Sequence, residues 1–213
     1  MSYVAVIDYG MGNLHSIAKA LLRARPAAEV LVTADRNQIL GSERVVFPGV
    51  GAMRDCMRAI DRLGLEPVLR QAASTKPFLG ICLGMQALLD ESEENEGTKC
   101  LGLIPGKVVR FPEQRCDALG SPLKIPHMGW NRVHRTRDHP LWDGIAADRW
   151  FYFVHSYYVE PKQPKCVAGT TDYPTPFTSA LASGNIFAVQ FHPEKSQDDG
   201  LRLLANFLRW NPD

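Results

Sequence analysis

Short apolar runs alternate with segments of helical spacing throughout residues 3–89, and this alternation restricts the chain to few architectures. The run at residues 3–7 has the pattern of a buried strand, and a helical period follows the glycine-rich turn at residues 10–12. Strand-like runs recur at residues 30–33, 44–47 and 77–81, and helical runs at residues 53–60, 65–73 and 85–89. Such alternation is typical of a mainly parallel sheet with helices on both faces. The first half is therefore predicted to be α/β.

The second half has a different pattern. From residue 107 onward the strand-like runs are short and are separated by Pro, Gly and Asp, at residues 107–111, 150–159, 167–171 and 186–191. We interpret them as an antiparallel extension of the same sheet, closed by a helix whose apolar face carries Leu201, Leu204 and Leu208. Residues 1–213 are expected to form a single domain.

Charge and cysteine usage exclude several classes of protein. The chain has 24 basic and 23 acidic residues and a net charge of +1, so neither nucleic acid nor a membrane is an expected partner. Without a signal-peptide pattern or a long apolar stretch, we expect a cytoplasmic setting. Five widely spaced cysteines fit neither a disulfide framework nor a zinc site.

No metal or cofactor is expected from the remaining motifs. The Gly10–Gly12 turn lacks the third glycine of a dinucleotide-binding fingerprint, because position 15 is His. His127, His134 and His139 have no metal-ligand spacing and are interpreted as ordinary polar residues.

A candidate nucleophile lies between the strand at residues 77–81 and the following helix. Gly80-Ile81-Cys82-Leu83-Gly84 has the Gly-x-nucleophile-x-Gly spacing of a strained turn that presents its central side chain above the sheet. The start of the following helix would favour the thiolate form of Cys82. The alternative is a small core residue, the commonest fate of a free cysteine.

A candidate base follows the apolar run at residues 186–189. His192 and Glu194 are two residues apart, so in extended backbone they lie on one face, where the carboxylate can orient the imidazole. Taken alone, such a pair is more often a surface pair or a satisfied core histidine. Together with the turn around Cys82, it predicts a nucleophile, a base and a group that orients the base.

The segment Pro48-Gly49-Val50-Gly51 follows another strand and should reach the same edge of the sheet. Two glycines would let the amide of Val50 turn toward a bound carbonyl oxygen. The alternative is an ordinary turn.

These motifs resemble the class I glutamine amidotransferases and, within them, the glutamine-hydrolysing subunits of imidazole glycerol phosphate synthases. The resemblance extends over nearly the whole chain. It is carried, in order, by DYGMGNL at residues 8–14, FPGVG at 47–51, GICLGMQ at 80–86, PHMGWN at 126–131, FVHSY at 153–157 and QFHPEKS at 190–196.

The resemblance implies a flavodoxin-like domain that hydrolyses glutamine, with Cys82, His192 and Glu194 as catalytic triad. It also implies roles for further positions. Those roles are an oxyanion hole at Val50, Gly51 and Leu83, glutamine binding by Gly49, Gln86, Ser156 and Tyr157, and a partner surface at Met11, Gly12, Asn13, Trp130 and Lys195.

The implied partner is the (β/α)8-barrel cyclase subunit of the synthase, in a heterodimer that receives ammonia through a channel. A paralogue serving a nitrogen-containing sugar pathway and a catalytically silent scaffold are the competing hypotheses. Residues 112–123, which include Cys116, depart from the family pattern and are expected to form a longer surface loop.

Overall fold

The computed structural model describes residues 3–112 and 123–212. Within them, thirteen strands form one connected sheet. The strands are β1 (Val4–Ile7), β2 (Val30–Thr33), β3 (Arg44–Gly49), β4 (Phe78–Cys82), β5 (Glu91–Ser92), β6 (Thr98–Lys99), β7 (Gly106–Arg110), β8 (His127–Arg135), β9 (Arg149–His155), β10 (Tyr157–Pro161), β11 (Val167–Asp172), β12 (Pro176–Ser183) and β13 (Ile186–Val189). The helices are α1 (Leu14–Ala24), α2 (Arg36–Gly41), α3 (Met53–Arg62), α4 (Glu66–Thr75), α5 (Leu83–Gln86) and α6 (Gln197–Phe207).

Five parallel strands form the centre of the sheet, in the order β2-β1-β3-β4-β13. This is the flavodoxin-like order, in which ligands bind beyond the carboxyl ends of the strands. From β13 the sheet continues antiparallel through β12, β10 and β7, while β11, β8 and β9 branch from β12. The predicted α/β fold with an antiparallel extension is confirmed.

The parallel strands β1, β3, β4 and β13 are buried on both faces because helices cover each side, whereas the edge strand β2 is partly exposed. Ala5, Val45 and Phe47 pack with α3 and α4 in one core cluster. Val4, Val46 and Leu79 pack with α1 and α6 in the other. Alternate residues of a strand point to opposite faces, so one strand supplies both cores.

Local signals account for where several helices begin. The side chain of Asn13 accepts a hydrogen bond from the amide of Ser16 at 3.3 Å and caps α1. Asp35 caps α2 in the same way, through the amide of Gln38 at 2.9 Å. Pro67 stands in the first turn of α4, where a missing backbone donor has no cost.

The prediction was wrong at several elements, and α2, β5 and β6 were not predicted at all. The helix expected at residues 85–89 begins at Leu83 and ends at Gln86. The single run at residues 150–159 is two strands, β9 and β10, separated at Ser156. Strands β8 and β12 were not predicted, because β8 carries polar residues on both faces and β12 consists mostly of small residues.

The predicted loop at residues 112–123 lies almost entirely outside the described residues, as does Cys116. Among the residues that the structure describes, no helix has both the length and the apolar character needed to cross a membrane.

Candidate active site

Cys82 lies at the junction of β4 and α5, in a backbone conformation that non-glycine residues rarely adopt, with φ 53° and ψ −111°. Its Sγ atom is 3.9 Å from the carbonyl oxygen of Val154 and 3.7 Å from the side-chain nitrogen of Gln190. The side chain is 7% exposed and lines a cavity. Strain of this kind is typical of positions where the fold must aim one reactive side chain.

The flanking glycines allow this turn to form. A Cβ atom at Gly84 would lie 1.9 Å from the carbonyl oxygen of Phe47, so only glycine lets α5 approach β3 this closely. At Gly80 a Cβ atom would stand 3.1 Å from the Cβ of Ala188 on the neighbouring strand. The two glycines therefore leave room for the neighbouring strand and helix to approach the turn.

His192 and Glu194 reach the same edge of the sheet, because β13 pairs directly with β4. The Nδ1 atom of His192 is 2.9 Å from Oε1 of Glu194, and both side chains are almost fully buried. The backbone of His192 is held by two further contacts, its amide donating to Tyr152 at 2.9 Å and its carbonyl accepting from the Ser196 hydroxyl at 2.6 Å. The imidazole is thus fixed in position and tautomer.

The Nε2 atom of His192 is buried without a hydrogen-bond partner among the described residues and faces the nucleophile's cavity. Burial by itself lowers the pKa of His192, but interactions with Cys82 and Glu194 outweigh it and raise the pKa to about 10. The imidazolium form is therefore favoured at neutral pH, next to Cys82.

The glycine segment at the end of β3 lies beside Cys82. Gly49 is in register with Cys82, and Val50, Gly51 and Leu83 line the same cavity. Gly51 has φ +98°, and a Cβ atom there would lie 2.8 Å from the Cε atom of Met11. Its backbone is therefore shaped for glycine and packed against the loop after β1.

A cavity of about 280 Å³ joins these groups. Three of the predicted glutamine-binding residues, Gln86, Ser156 and Tyr157, line it. The side-chain nitrogen of Gln86 is committed to the carbonyl of Tyr157 at 2.9 Å and to Oε1 of Gln190 at 3.0 Å. The side-chain carbonyl oxygen of Gln86 is therefore available to a ligand.

The predicted partner residues form two groups. Met11, Gly12 and Asn13 lie in the loop between β1 and α1, where Asn13 also caps the helix. Trp130 is 42% exposed, and the centroid of its ring lies 6.1 Å from the centroid of the Tyr152 ring. The Nζ atom of Lys195 lies 5.6 Å from the same ring centroid.

Several cavity residues were not predicted. Glu94 lines the cavity, and its carboxylate accepts a hydrogen bond from the amide of Met53 at 2.7 Å. It belongs to the acidic stretch at residues 91–96, a pattern typical of a solvated loop. Pro126 and His155 lie within motifs of the resemblance, which gave neither residue a role.

His127 was interpreted as an ordinary polar residue, but it is buried and hydrogen-bonded to His155 at 2.9 Å. Within residues 3–112 and 123–212, no group of three His, Cys, Asp or Glu side chains could hold a metal ion.

Comparisons with known proteins agree with this geometry. The sequence model of the family described as glutamine amidotransferase class-I matches residues 5–210. The imidazole glycerol phosphate synthase subunit HisH of Methylococcus capsulatus is 70% identical over 213 residues, spanning 100% of this chain and 98% of the relative. The subunit of that name from Thiobacillus denitrificans is 58% identical over 210 residues, spanning 98% of this chain and 92% of the relative.

Solved structures share the fold at low sequence identity. The structure of PurLQS from Thermotoga maritima superposes with a TM-score of 0.72 at 16% identity, over 98% of both chains. A crystal structure described as glutamine amidotransferase gives a TM-score of 0.69 at 18% identity, over 97% of both chains. With the family match over residues 5–210 and relatives of such high identity, the chain belongs to the class I glutamine amidotransferase family.

Proposed function

We propose that this chain is the glutamine-hydrolysing subunit of an imidazole glycerol phosphate synthase, which supplies ammonia to a cyclase subunit in histidine biosynthesis. One observation carries the chemical part of the proposal. The strained Cys82 and the buried His192–Glu194 pair meet at one cavity, at the carboxyl edge of a parallel sheet. The assignment to this particular synthase is supported by full-length relatives of 70% and 58% identity.

The first half of the reaction follows from the protonation state of the site. Cys82 attacks the carbon of the glutamine side-chain amide as a thiolate, forming a C–S bond. His192, whose pKa is raised to about 10, gives its proton to the leaving nitrogen as the C–N bond breaks. Ammonia leaves and a thioester on Cys82 remains, while Glu194 holds the imidazole in place throughout.

The second half returns the site to its starting state. The neutral His192 takes a proton from an attacking water, and the C–S bond breaks to release glutamate and the thiolate. Each step passes through a tetrahedral oxyanion. We assign donation to that oxygen to the amides of Val50 and Leu83, two residues that line the cavity, with Gly51 shaping the loop.

The cavity fits a small amino acid. Glu94 offers a carboxylate as counter-charge to the α-ammonium group, and Gln86 offers its carbonyl oxygen as an acceptor. Gly49, Ser156 and Tyr157 supply backbone beside the nucleophile. These contacts use the hydrogen-bonding groups that glutamine presents beyond its reacting amide.

The exposed face of the β8–β9 ribbon is an argument for a partner chain that binds at this edge of the sheet. Met128, Trp130 and Trp150 are 62%, 42% and 47% exposed, an unusual density of large apolar groups on one surface. We assign this surface, with Met11, Gly12, Asn13 and Lys195, to the cyclase subunit, and expect a heterodimer through which ammonia passes. Because Met11 lies against Gly51, docking at that loop would act directly on the oxyanion segment.

A paralogue that feeds a sugar pathway is not favoured. The relatives above carry the synthase name and match this chain along its full length. A silent scaffold is disfavoured by the chemically competent residues at all three triad positions.

The test is glutamate release by the complex of this chain with the cyclase subunit, in the presence of the acceptor nucleotide. Cys82→Ala should lower glutamine-dependent turnover by roughly 10³-fold or more, because the nucleophile is lost. Growth of a histidine auxotroph should be restored by the wild type and not by the variant.

Cys166→Ala is a matched control, since Cys166 is equally buried but lies outside the cavity. Equal turnover of wild type and Cys82→Ala would refute the assignment of the nucleophile. A soluble, active glutaminase that fails to restore the auxotroph would favour the paralogue.

A further inference from the structure

Two buried glutamine side chains lie behind the nucleophile. Gln190 is fully buried and Gln86 is 4% exposed. Oε1 of Gln190 accepts a hydrogen bond from Gln86, so the Gln190 amide must turn its nitrogen toward Sγ of Cys82, 3.7 Å away. Amide hydrogens, rather than an amide oxygen, therefore face the sulfur.

The same chain of hydrogen bonds continues away from the site through two histidines. The carbonyl of Tyr157, which accepts from Gln86, also accepts from Nδ1 of His155 at 2.8 Å. Nε2 of His155 is 2.9 Å from Nδ1 of His127. Nε2 of His127 is in turn 3.2 Å from the side-chain nitrogen of Asn131, which also donates to the carbonyl of Asp172 at 2.9 Å.

The donor and acceptor at every link are determined by the two ends. A carbonyl oxygen can only accept, so His155 carries its proton on Nδ1; a neutral His155 then accepts at Nε2. His127 must donate from Nδ1 and accept at Nε2, which the amide nitrogen of Asn131 satisfies. Burial lowers the pKa of His127 to about 4 and that of His155 to about 3, so both rings are neutral at physiological pH.

This polarity has a chemical consequence at the nucleophile. If the Gln190 amide were reversed, its oxygen would face Cys82 and two donors would confront each other at Gln86. A donor directed at sulfur stabilises the thiolate, whereas an oxygen would repel it. Buried polar chains of this kind lose most of their stability when one link is missing, so an apolar core would be the simpler means of filling this space.

We propose that His127, His155 and Gln190 are positioning residues for glutamine hydrolysis, which together with Gln86 hold an amide donor against the sulfur of Cys82. This inference rests on the proposed function, since it concerns the same nucleophile. His127 and His155 act only through neighbouring residues, whereas Gln190 contacts the sulfur of Cys82 and orients it without transferring a proton.

The first experiment replaces the donor itself, in the complex with the cyclase subunit. Gln190→Met keeps the length of the side chain and removes the hydrogen bond, so kcat with glutamine and the alkylation rate of Cys82 by iodoacetamide at neutral pH should fall roughly tenfold to hundredfold. Turnover with added ammonium salt should be unchanged. Gln190→Glu, which can accept from Gln86 but cannot donate to sulfur as a carboxylate, should lose at least as much.

Thr171→Val is the matched control. It breaks a buried hydrogen bond of 2.9 Å to Ser179, whose carbonyl accepts from the backbone N–H of Gln190, but it does not touch the side-chain hydrogen bonds behind Cys82. Thr171→Val should leave Cys82 alkylation and kcat within about twofold of wild type. An equal loss in Thr171→Val would mean that any core damage suffices, and would overturn the proposal.

The second experiment tests the distant links. His127→Phe keeps the ring that stacks on Tyr173 at 4.0 Å and removes the donor to His155, so kcat should fall roughly threefold to tenfold with a smaller change in KM. In ¹⁵N spectra of the wild-type chain, both rings should be neutral Nδ1–H tautomers at neutral pH. Nε2–H tautomers, or unchanged kcat in both Gln190→Met and His127→Phe, would overturn the proposal.

The two hypotheses fail separately. If the proposed function is wrong, wild type and Cys82→Ala release glutamate equally. If only the positioning role is wrong, Cys82→Ala is inactive while Gln190→Met and His127→Phe match the wild type.

Discussion

Two buried histidines behave in opposite ways: His192, which follows the parallel strand β13, and His127, on the antiparallel ribbon of β8 and β9. His192 is 2% exposed and pairs with Glu194, and its pKa is raised to about 10. His127 is 3% exposed and pairs with His155, and its pKa is lowered to about 4. Burial lowers the pKa in both places, so the charge of the neighbouring group decides the outcome.

This difference distinguishes a histidine that can transfer protons from one that can only orient its neighbours. An imidazole beside a carboxylate and a cysteine sulfur can hold and release a proton. An imidazole beside a second neutral ring keeps one tautomer and can only orient its neighbours. Identical side chains at equal burial therefore serve different purposes, and each can be tested by changing its partner.

The largest effect is expected from removing the charged histidine. His192→Ala should lower glutamine-dependent turnover by roughly 10²–10⁴-fold, because both proton transfers lose their carrier. Turnover with ammonium salt in the complex should persist, since the proposed function assigns the acceptor site to the cyclase subunit. Loss of both activities would contradict the division of labour between the subunits.

A smaller effect is expected when His192 keeps its ring but loses its charged partner. Glu194→Gln preserves the shape of the contact at 2.9 Å and removes the carboxylate, so kcat should fall roughly 10²-fold or more. Asp148→Asn is the matched control, because Asp148 forms a 2.6 Å contact to the partly exposed His134 far from the cavity. Asn also tolerates the positive φ of 57° at this position. Similar losses in both variants would mean that the carboxylate at residue 194 has no special role.

The smallest effect concerns stability in acid. The folded-state pKa of His127 is lowered from 6.5 to about 4, so its contribution to stability is present above pH 6.5 and lost as the pH falls toward 4. Within that window each such histidine should lower the free energy of unfolding by up to about 1.4 kcal/mol per pH unit.

Urea denaturation of wild type and His127→Phe across this window measures the difference between them. His127→Phe should show the shallower decline, because it has one neutral histidine fewer to protonate. A steeper decline in the variant would contradict the assignment of a neutral ring.

Much of the site could be predicted because its constraints are local. Gly84 is required by the close approach of α5 to β3. The five-residue motif at residues 80–84 shows this requirement in the sequence alone. The spacing of His192 and Glu194 is likewise a property of one short segment.

The sequence did not reveal the residues whose partners are distant. Gln86 and Gln190 are separated by 104 positions, and His127 and His155 by 28. Glu94 lies in an acidic stretch that predicts solvent exposure, and the structure turns it toward the cavity. Strand β8 was missed because its buried face holds His127 and Asn131 in place of apolar residues.

The sequence by itself determined the α/β class, the turn that presents Cys82 and the pairing of His192 with Glu194. Backbone strain, chain direction and residue spacing act over a few positions, so a short sequence motif can specify them. Only the tertiary structure decided which histidines are charged and which way the amide behind Cys82 points. Those properties depend on burial and on partners from remote strands, and both arise when β13 is placed beside β4 and β9 beside β8.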